Sequence, residues 1–556
     1  MHPGPSTEST VTMDRRAFVA AVAISGLGTR DSGLAPPESR VPSPESRVPG
    51  PELEEATLDD LQGMMASGRH TSRSITQLYL DRIATLDRAD GDRPGVNSVI
   101  ELNPDALQIA DAMDAERKAG RVRGPLHGVP VLVKDNIDTA DRMETTAGSL
   151  ALVGAAKPKD AFVAERLRAA GAVLLGKTNL SEWANFRSTH SVSGWSGRGG
   201  QTRNPYALDR NPCGSSSGSG AAASASFCAV AVGTETDGSV VCPSSTNGLV
   251  GIKPTLGLVS RAGIVPIAHS QDTAGPMTRT VRDAAILLGV LAGADPRDPL
   301  TASSRGHAER DYTRHLDANG LKGARIGVSR KSMGFSRDVD RLVEDALDVM
   351  KRAGATIVDP ANLPTDGQFD AAEGEVLRYE FKADLNAYLA ARGVRLDGAP
   401  ATLQSLIDWN ARHADREMPY FGQELFEQSQ AKGPLTTPAY RSALAKSKRL
   451  AGTEGIDAAL RAHRLDALVA PTGQPAWTID LLNGDHFTGG YSSASAVAGY
   501  AHVTVPAGMV HGLPVGLSFF AGAWSEPTLL RLAYAFEQAT KHRRAPRFLA
   551  SANLAE

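Results

Sequence analysis

The chain has 556 residues, a formal net charge of −3 at pH 7 and 41% hydrophobic residues, a composition typical of globular proteins. This near-neutral balance gives no support for nucleic-acid binding, which needs a basic surface. Length alone predicts about four domains of roughly 150 residues each.

The first segment has the pattern of a targeting signal. Arg15 and Arg16 are followed by an apolar run from Ala17 to Leu27. An arginine pair before such a run is typical of a twin-arginine export signal, and the run is too short to span a bilayer. We therefore predict an export signal over residues 1–29 and a periplasmic or secreted protein. The alternative is a disordered tail with a chance arginine pair, which would leave the protein in the cytoplasm.

Residues 30–51 are rich in Pro, Ser and Gly. They contain the sequence ESRVP twice, at Glu38–Pro42 and Glu45–Pro49. A stretch of this composition cannot bury enough apolar surface to order itself. We interpret it as a linker between the signal and the folded protein.

After Leu53 the spacing of apolar residues alternates between the helical and the strand period. The predicted helices are Thr57–Ser67, Ser72–Leu86, Asp105–Ala119, Phe162–Ala170, Ser219–Phe227, Val339–Ala353 and Leu529–Thr540. The predicted strands are Val129–Lys134, Ala172–Leu175, Ala229–Gly233, Arg325–Val328, Asp466–Ala470, Val503–Ala507 and Val515–Phe520. This alternation favours an α/β architecture, with a central sheet covered by helices on both faces.

Three separated segments carry residues suited to nucleophilic catalysis. They read GVPVLVKDNIDTA around Lys134, NPCGSSSGSGAAA around Ser215, and VGTETDGSVVCP around Ser239. A serine hydroxyl needs a base to become a nucleophile at neutral pH, and none of these segments contains a histidine. The base available here is the lysine, reached through the second serine.

In order and spacing, these segments resemble the amidase signature family. The serine-rich loop of the family matches at Gly214-Ser215-Ser216, and its nucleophile loop matches from Gly233 to Ser239. The resemblance extends from about Leu53 to Phe548. It implies a single amidase signature domain over residues 52–556, with a large mixed central sheet covered by helices on both faces.

The resemblance also implies a role for each matched residue. Ser239 would attack the amide carbonyl, and Ser215, after a cis peptide bond, would relay the proton to Lys134. Lys134 must be neutral for this, so burial has to lower its pKa, and the flanking residues 131–133 are apolar. The predicted oxyanion hole consists of the main-chain N–H groups of Thr236, Asp237, Gly238 and Ser239, and Ser216 is predicted to support the site as a neighbouring hydroxyl.

Two departures from the common family pattern point to a subgroup. Asp237 stands where many members have glycine, and Val241 stands where many have arginine. These residues, with Gly176–Ser188 and Leu513–Phe520, look like the peptide amidases, which release ammonia from C-terminally amidated peptides. The alternatives are a broad-specificity amidase of aliphatic or aryl amides, and the amidase subunit of a tRNA-dependent amidotransferase, which an export signal disfavours. The Asp237 side chain is expected to be structural or substrate-facing.

Two rival interpretations of the serine-rich loop are weaker. Gly214–Gly218 fits the G-x-S-x-G elbow of α/β-hydrolases, with Ser216 as nucleophile, but no strand precedes it. The loop could also bind an anion in a protein without enzymatic activity, although the lysine of a phosphate-binding loop is missing.

We expect neither a metal nor an organic cofactor, because no zinc motif is present. The cysteines, Cys213, Cys228 and Cys242, form no C-x-x-C pair, so neither a zinc site nor a disulfide framework is indicated, and we expect small buried thiols. The expected partner is an amide substrate, with no stable membrane association. The sequence does not define the oligomeric state.

Overall fold

The computed structural model describes residues 51–89 and 94–554. The predicted export signal, 1–29, and residues 30–50 of the predicted linker lie outside the described residues. No helix in the described part of the chain combines the length and apolar character needed to cross a membrane.

The described residues form fifteen strands and sixteen α-helices, numbered here in chain order. The strands are β1 Val99–Leu102, β2 Pro130–Lys134, β3 Val173–Thr178, β4 Trp195–Ser196, β5 Gly200–Gln201, β6 Val230–Glu235, β7 Val250–Lys253, β8 Thr273–Thr278, β9 Arg325–Val328, β10 Thr356–Val358, β11 Arg395–Leu396, β12 Ala399–Pro400, β13 Ala467–Pro471, β14 His502–Val510 and β15 Leu513–Phe520. The helices are α1 Leu58–Ala66, α2 Ser72–Leu86, α3 Ala106–Lys118, α4 Phe162–Ala169, α5 Ser217–Ser224, α6 Val241–Thr246, α7 Val281–Leu291, α8 Arg337–Arg352, α9 Asp370–Arg392, α10 Leu403–Arg412, α11 Ala414–Glu417, α12 Glu424–Gln430, α13 Pro438–Lys448, α14 Asp457–His463, α15 Ser493–Ala498 and α16 Glu526–Thr540.

Eleven of these strands form one sheet in the order β1-β3-β2-β6-β8-β7-β14-β15-β13-β9-β10. Strands β3, β2 and β6 are parallel to one another, as are β13, β9 and β10. The strands between these two groups pair antiparallel, as does β1 on its edge. The sheet is therefore mixed and the fold is α/β, as the resemblance implied.

Helices cover the sheet so completely that whole strands are buried. Every residue of β2, β3, β6, β8, β13 and β15 is buried. Strands buried on both faces are expected to be continuously apolar, and PVLVK in β2 and ALVAP in β13 fit this pattern. A lysine at the end of such a strand enters the protein interior.

Helix α5 packs unusually close to its neighbours because it is built from small residues. Its sequence is SGSGAAAS, and every one of these residues is buried. A Cβ atom on Gly218 would lie 2.3 Å from the carbonyl oxygen of Ser98 and 2.4 Å from that of Asn179. The sequence predicted this helix over Ser219–Phe227, but it begins at Ser217, directly after the serine-rich loop.

Candidate active site

Lys134, Ser215 and Ser239 lie at the ends of neighbouring elements. Lys134 is the last residue of β2, and Ser239 lies in the loop from β6 to α6. Strands β2 and β6 are adjacent and parallel, so their carboxyl ends meet at one edge of the sheet, where α/β proteins place their ligands. Ser215 precedes α5 by two residues, and α5 contacts both strands. The fold thus gathers the three predicted segments at this edge.

Lys134 and Ser215 are in direct contact inside the protein. Both side chains are fully buried, and Nζ of Lys134 lies 2.7 Å from Oγ of Ser215. Oγ1 of Thr234 lies 3.0 Å from the same Nζ, and Nδ2 of Asn136 donates to that hydroxyl at 2.9 Å. The peptide bond between Gly214 and Ser215 is cis. The described hydrogen-bond partners of the amine are all neutral oxygens.

This environment favours a neutral amine. Burial lowers the pKa of Lys134 to about 7, although the carboxylates of Asp272 and Glu235 act in the opposite direction. A free lysine would be almost fully protonated at neutral pH, whereas a pKa near 7 leaves about half of the molecules with a neutral lysine. Lys134 can therefore accept a proton at physiological pH.

Ser216 fastens the serine-rich loop to β6. Its Oγ donates to the carbonyl oxygen of Thr234 at 3.0 Å and accepts from the N–H of the same residue at 3.1 Å. Its own N–H donates to the carbonyl oxygen of Ser239 at 3.2 Å. These bonds fit the predicted supporting role of Ser216 and leave its hydroxyl poorly placed to act as an elbow nucleophile.

The loop that carries Ser239 presents main-chain N–H groups. Among the described residues, no acceptor is hydrogen-bonded to the N–H groups of Thr236, Asp237, Gly238 or Ser239. Gly238 has a φ of +76°, in the left-handed region that favours glycine. Ser239 is 8% exposed, unlike the fully buried Ser215. The loop can therefore offer several donors to one oxygen atom beside the Ser239 hydroxyl.

The Asp237 side chain ties this loop to a distant part of the chain. Its carboxylate accepts hydrogen bonds from Oγ of Ser492 at 2.5 Å and Oγ of Ser493 at 2.6 Å, at the start of α15. This contact supports the structural alternative for Asp237. It also explains how an aspartate can stand in this loop, because its charge is met by two hydroxyls.

The expectation of three buried thiols is wrong for two of them. Cys213 and Cys242 form a disulfide with a Cα–Cα distance of 6.0 Å, whereas Cys228 is a free buried cysteine. The two partners are 29 residues apart, Cys213 in the serine-rich loop and Cys242 in the first turn of α6, so no local spacing rule links them. The fold brings them together because the serine-rich loop before α5 and the start of α6 lie at the same sheet edge.

A small cavity borders Ser215, and a larger cleft adjoins that cavity. A cavity of about 10 Å³, room for about one water molecule, is lined by Ser215, Thr234, Asn136 and Asp272. A cleft of about 760 Å³ shares Asp272 and Ile264 with it as lining residues. The small cavity beside Ser215 thus adjoins a larger cleft through Asp272 and Ile264.

A group of possible metal ligands lies at that cleft. His269, Glu380 and Asp384 hold their ligand atoms within 4.8 Å of one another. Nδ1 of His269 lies 2.9 Å from Asp384, and Glu380 accepts hydrogen bonds from the N–H of Ser270 and the hydroxyl of Tyr440. These protein contacts account for the cluster without an ion.

Comparison with known proteins identifies the family. The family model for amidases matches residues 75–530. The chain belongs to the amidase family. This membership makes the protein a hydrolase of carbon–nitrogen bonds in amides.

Individual proteins similar to this amidase support the family assignment. A structure of the peptide amidase PAM, in complex with the competitive inhibitor chymostatin, is 54% identical with a TM-score of 0.85. That match covers 89% of this chain and 99% of the other. A probable amidase of Arabidopsis thaliana is 41% identical, over 90% of this chain and 92% of the relative. A glutamyl-tRNA(Gln) amidotransferase subunit of Symbiobacterium thermophilum is 35% identical, over 87% of this chain and 97% of the relative.

Sequence reasoning missed several residues that shape this amidase site. Thr234 and Asn136 contact the lysine network, and Asp272 accepts from Oγ1 of Thr236 at 2.6 Å. Asn136 stands two residues after Lys134, and Thr234 stands in the nucleophile segment. Their positions within the motifs could have identified them, because a buried lysine needs hydrogen-bond partners and nearby polar residues are candidates.

Proposed function

We propose that this amidase hydrolyses carboxamides through Ser239, Ser215 and Lys134, and that it releases ammonia from C-terminally amidated peptides. The observation that carries the triad is the buried, neutral-favouring amine of Lys134 at 2.7 Å from Ser215. Similarity to a peptide amidase at 54% identity supports the substrate class.

In the proposed reaction, Oγ of Ser239 forms a bond to the carbonyl carbon while its proton passes through Ser215 to Lys134. The N–H groups of residues 236–239 stabilise the oxyanion, and each such donor contributes about 10²–10³-fold in rate. The C–N bond then breaks, and the leaving nitrogen takes a proton returned through Ser215. Water hydrolyses the acyl-enzyme by the same relay.

The relay requires a movement of one hydroxyl. Among the described residues, the hydroxyls of Ser215 and Ser239 are not hydrogen-bonded to each other, although their loops meet through the bond from Ser216 to Ser239. Catalytic hydrogen bonds often tighten only when substrate binds. The proposal therefore requires Oγ of Ser239 to reach Ser215 in the substrate complex.

Ammonia release by the purified chain, without a partner subunit, tests the substrate class. We expect kcat/KM for peptide amides to exceed that for amino-acid, aryl and short aliphatic amides by at least about tenfold, because binding of the peptide chain contributes to transition-state stabilisation. The Ser239→Ala variant serves as the blank for each substrate. A preference for aryl or short aliphatic amides would favour the broad-specificity alternative. Activity only with an added partner subunit would favour the amidotransferase alternative.

We also propose that the amidase is exported. The disulfide supports this, because disulfides persist in oxidising compartments and are rare in the cytosol. Replacing Arg15 and Arg16 by lysine is expected to retain the protein in the cytoplasm, as measured by cell fractionation of the native producing organism. Unchanged export of this variant would contradict the twin-arginine signal, and cytoplasmic wild-type protein would contradict export.

A further inference from the structure

A covalent bond joins the loop that carries the proposed relay serine to the helix that follows the proposed nucleophile serine. Cys213 stands two residues before Ser215, and Cys242 stands three residues after Ser239, in the first turn of α6. Both cysteines are nearly buried, at 5% and 9% exposed. Breaking the disulfide would therefore change the restraints on the segments that carry both serines.

Hydrogen bonds hold the residue before Cys213 to the other end of helix α6. Oγ1 of Thr246 and Nδ2 of Asn247 donate to the carbonyl oxygen of Pro212 at 2.7 and 2.9 Å, which fixes the chain before Cys213 to the C-terminal end of α6. The disulfide restrains the opposite, N-terminal end of this helix, next to Ser239, where the Glu235 carboxylate also accepts from the N–H groups of Val240 and Val241 at 2.7 and 3.0 Å. Loss of the disulfide would therefore remove the covalent restraint nearest the reaction and leave the helix attached by hydrogen bonds.

We propose that the Cys213–Cys242 disulfide is a positioning element of the active site, and that its reduction by a dithiol converts the enzyme to a form of low turnover. This inference rests on the proposed roles of Ser215 and Ser239. In the reaction, a thiolate of the dithiol attacks one sulfur, the S–S bond breaks, and a mixed disulfide forms. The second thiol of the reagent resolves it, so that the two cysteines gain two electrons and two protons and the reagent becomes a disulfide.

The expected effect is on the chemical step. Displacement of a catalytic group by about 1 Å can cost about 10²-fold in rate, because attack depends on near-ideal geometry. We expect reduction to lower kcat about 10–100-fold and to change KM less than about threefold. A purely structural disulfide would instead lower the fraction of folded enzyme.

An aromatic side chain beside the disulfide provides a spectroscopic signal. Trp477 clusters with the two cysteines, and its Nε1 donates to Asp485 at 3.2 Å. A disulfide next to an indole quenches its fluorescence, so reduction should raise the emission of the enzyme. The Trp477→Phe variant should lose this increase, which assigns the signal to this position.

The test compares the oxidised enzyme with the enzyme reduced by dithiothreitol, in a Cys228→Ala background that removes the third thiol. Alkylation and intact mass count the free thiols, and circular dichroism reports the fold. Kinetics on a peptide amide give kcat and KM, and the rate of covalent labelling by a fluorophosphonate reports the reactivity of Ser239. A Cys213→Ala/Cys242→Ala variant should match the reduced enzyme and be insensitive to dithiothreitol.

A folded enzyme with two free thiols, reduced kcat, slower labelling and recovery on reoxidation supports the proposal. Reduced enzyme with kcat and labelling within twofold of the oxidised form overturns it, as does a loss of activity that follows unfolding. If neither form cleaves peptide amides but the oxidised form labels faster, the proposed substrate fails and the disulfide proposal stands. If Ser239 is labelled in neither form, both fail.

Discussion

Replacing Ser239 by alanine is expected to lower kcat/KM for a peptide amide by about 10⁴-fold or more, as the loss of a nucleophile does in other serine hydrolases. The reason is that Ser239 is the proposed nucleophile and lies in a loop whose N–H groups have no acceptor among the described residues. The variant should also fail to bind a fluorophosphonate covalently. Ammonia release and intact mass measure the two effects.

Ser216→Ala is the matched control for this variant. Ser216 lies in the same site, but its hydroxyl donates to the carbonyl oxygen of Thr234 and accepts from the N–H of Thr234. Loss of this hydroxyl should therefore mainly loosen the loop. We expect it to keep the fluorophosphonate label, which peptide mapping should place on Ser239. Labelling of Ser216 in the wild type, or of the Ser239→Ala variant, would restore the elbow interpretation.

The sequence predicts those elements of the fold whose local pattern agrees with their environment. The helix Ser72–Leu86 and the strand Arg325–Val328 have the predicted bounds, because their apolar residues follow one period throughout. Strand β8 was missed because TAGPMT reads as a turn. Its glycine is required by packing, since a Cβ on Gly275 would lie 1.9 Å from the carbonyl oxygen of Ile252. Tertiary contacts, which no local pattern shows, determine this strand.

The long helix α9 was missed for a related reason. Its inward face carries buried carboxylates, Glu373 and Glu380, where a helical pattern would have apolar residues. Both carboxylates have partners far away in the sequence: Gln271 donates to Glu373 at 2.8 Å, and the N–H of Ser270 donates to Glu380 at 2.9 Å. These hydrogen bonds offset the cost of burying the carboxylates. Such long-range bonds cannot be predicted from a single sequence.

The active site was predictable only where it lies within motifs. Lys134 and Ser215 were identified from segment order and are found in contact. The contact of Asp237 with Ser492 and the pairing of Cys213 with Cys242 were not predicted. Both contacts join residues that only the folded chain brings together. The motifs therefore identify the proposed reacting atoms, whereas the restraints that hold them come from distant segments.

Replacing Lys134 by methionine is expected to lower kcat/KM by at least about 10³-fold, because a buried side chain of similar volume remains but the proton acceptor is lost. In the proposed reaction the neutral amine is the active form, and burial lowers the pKa of Lys134 to about 7. As the pH falls below about 7, the neutral fraction falls about tenfold per unit. We therefore expect kcat/KM to rise with pH up to about 7 and then to level off.

Lys134→Arg separates the base from the charge. An arginine stays protonated throughout the accessible pH range, so it preserves a cation at this position but cannot accept a proton. If Lys134 acts as the base, arginine and methionine should be similarly inactive, and neither should show the acidic limb near pH 7. Substantial activity of Lys134→Arg would mean that the site needs a positive charge beside Ser215. An acidic limb that persists in Lys134→Met would assign the titration to another group, of which Asp272 is the nearest candidate, because burial raises its pKa to about 6.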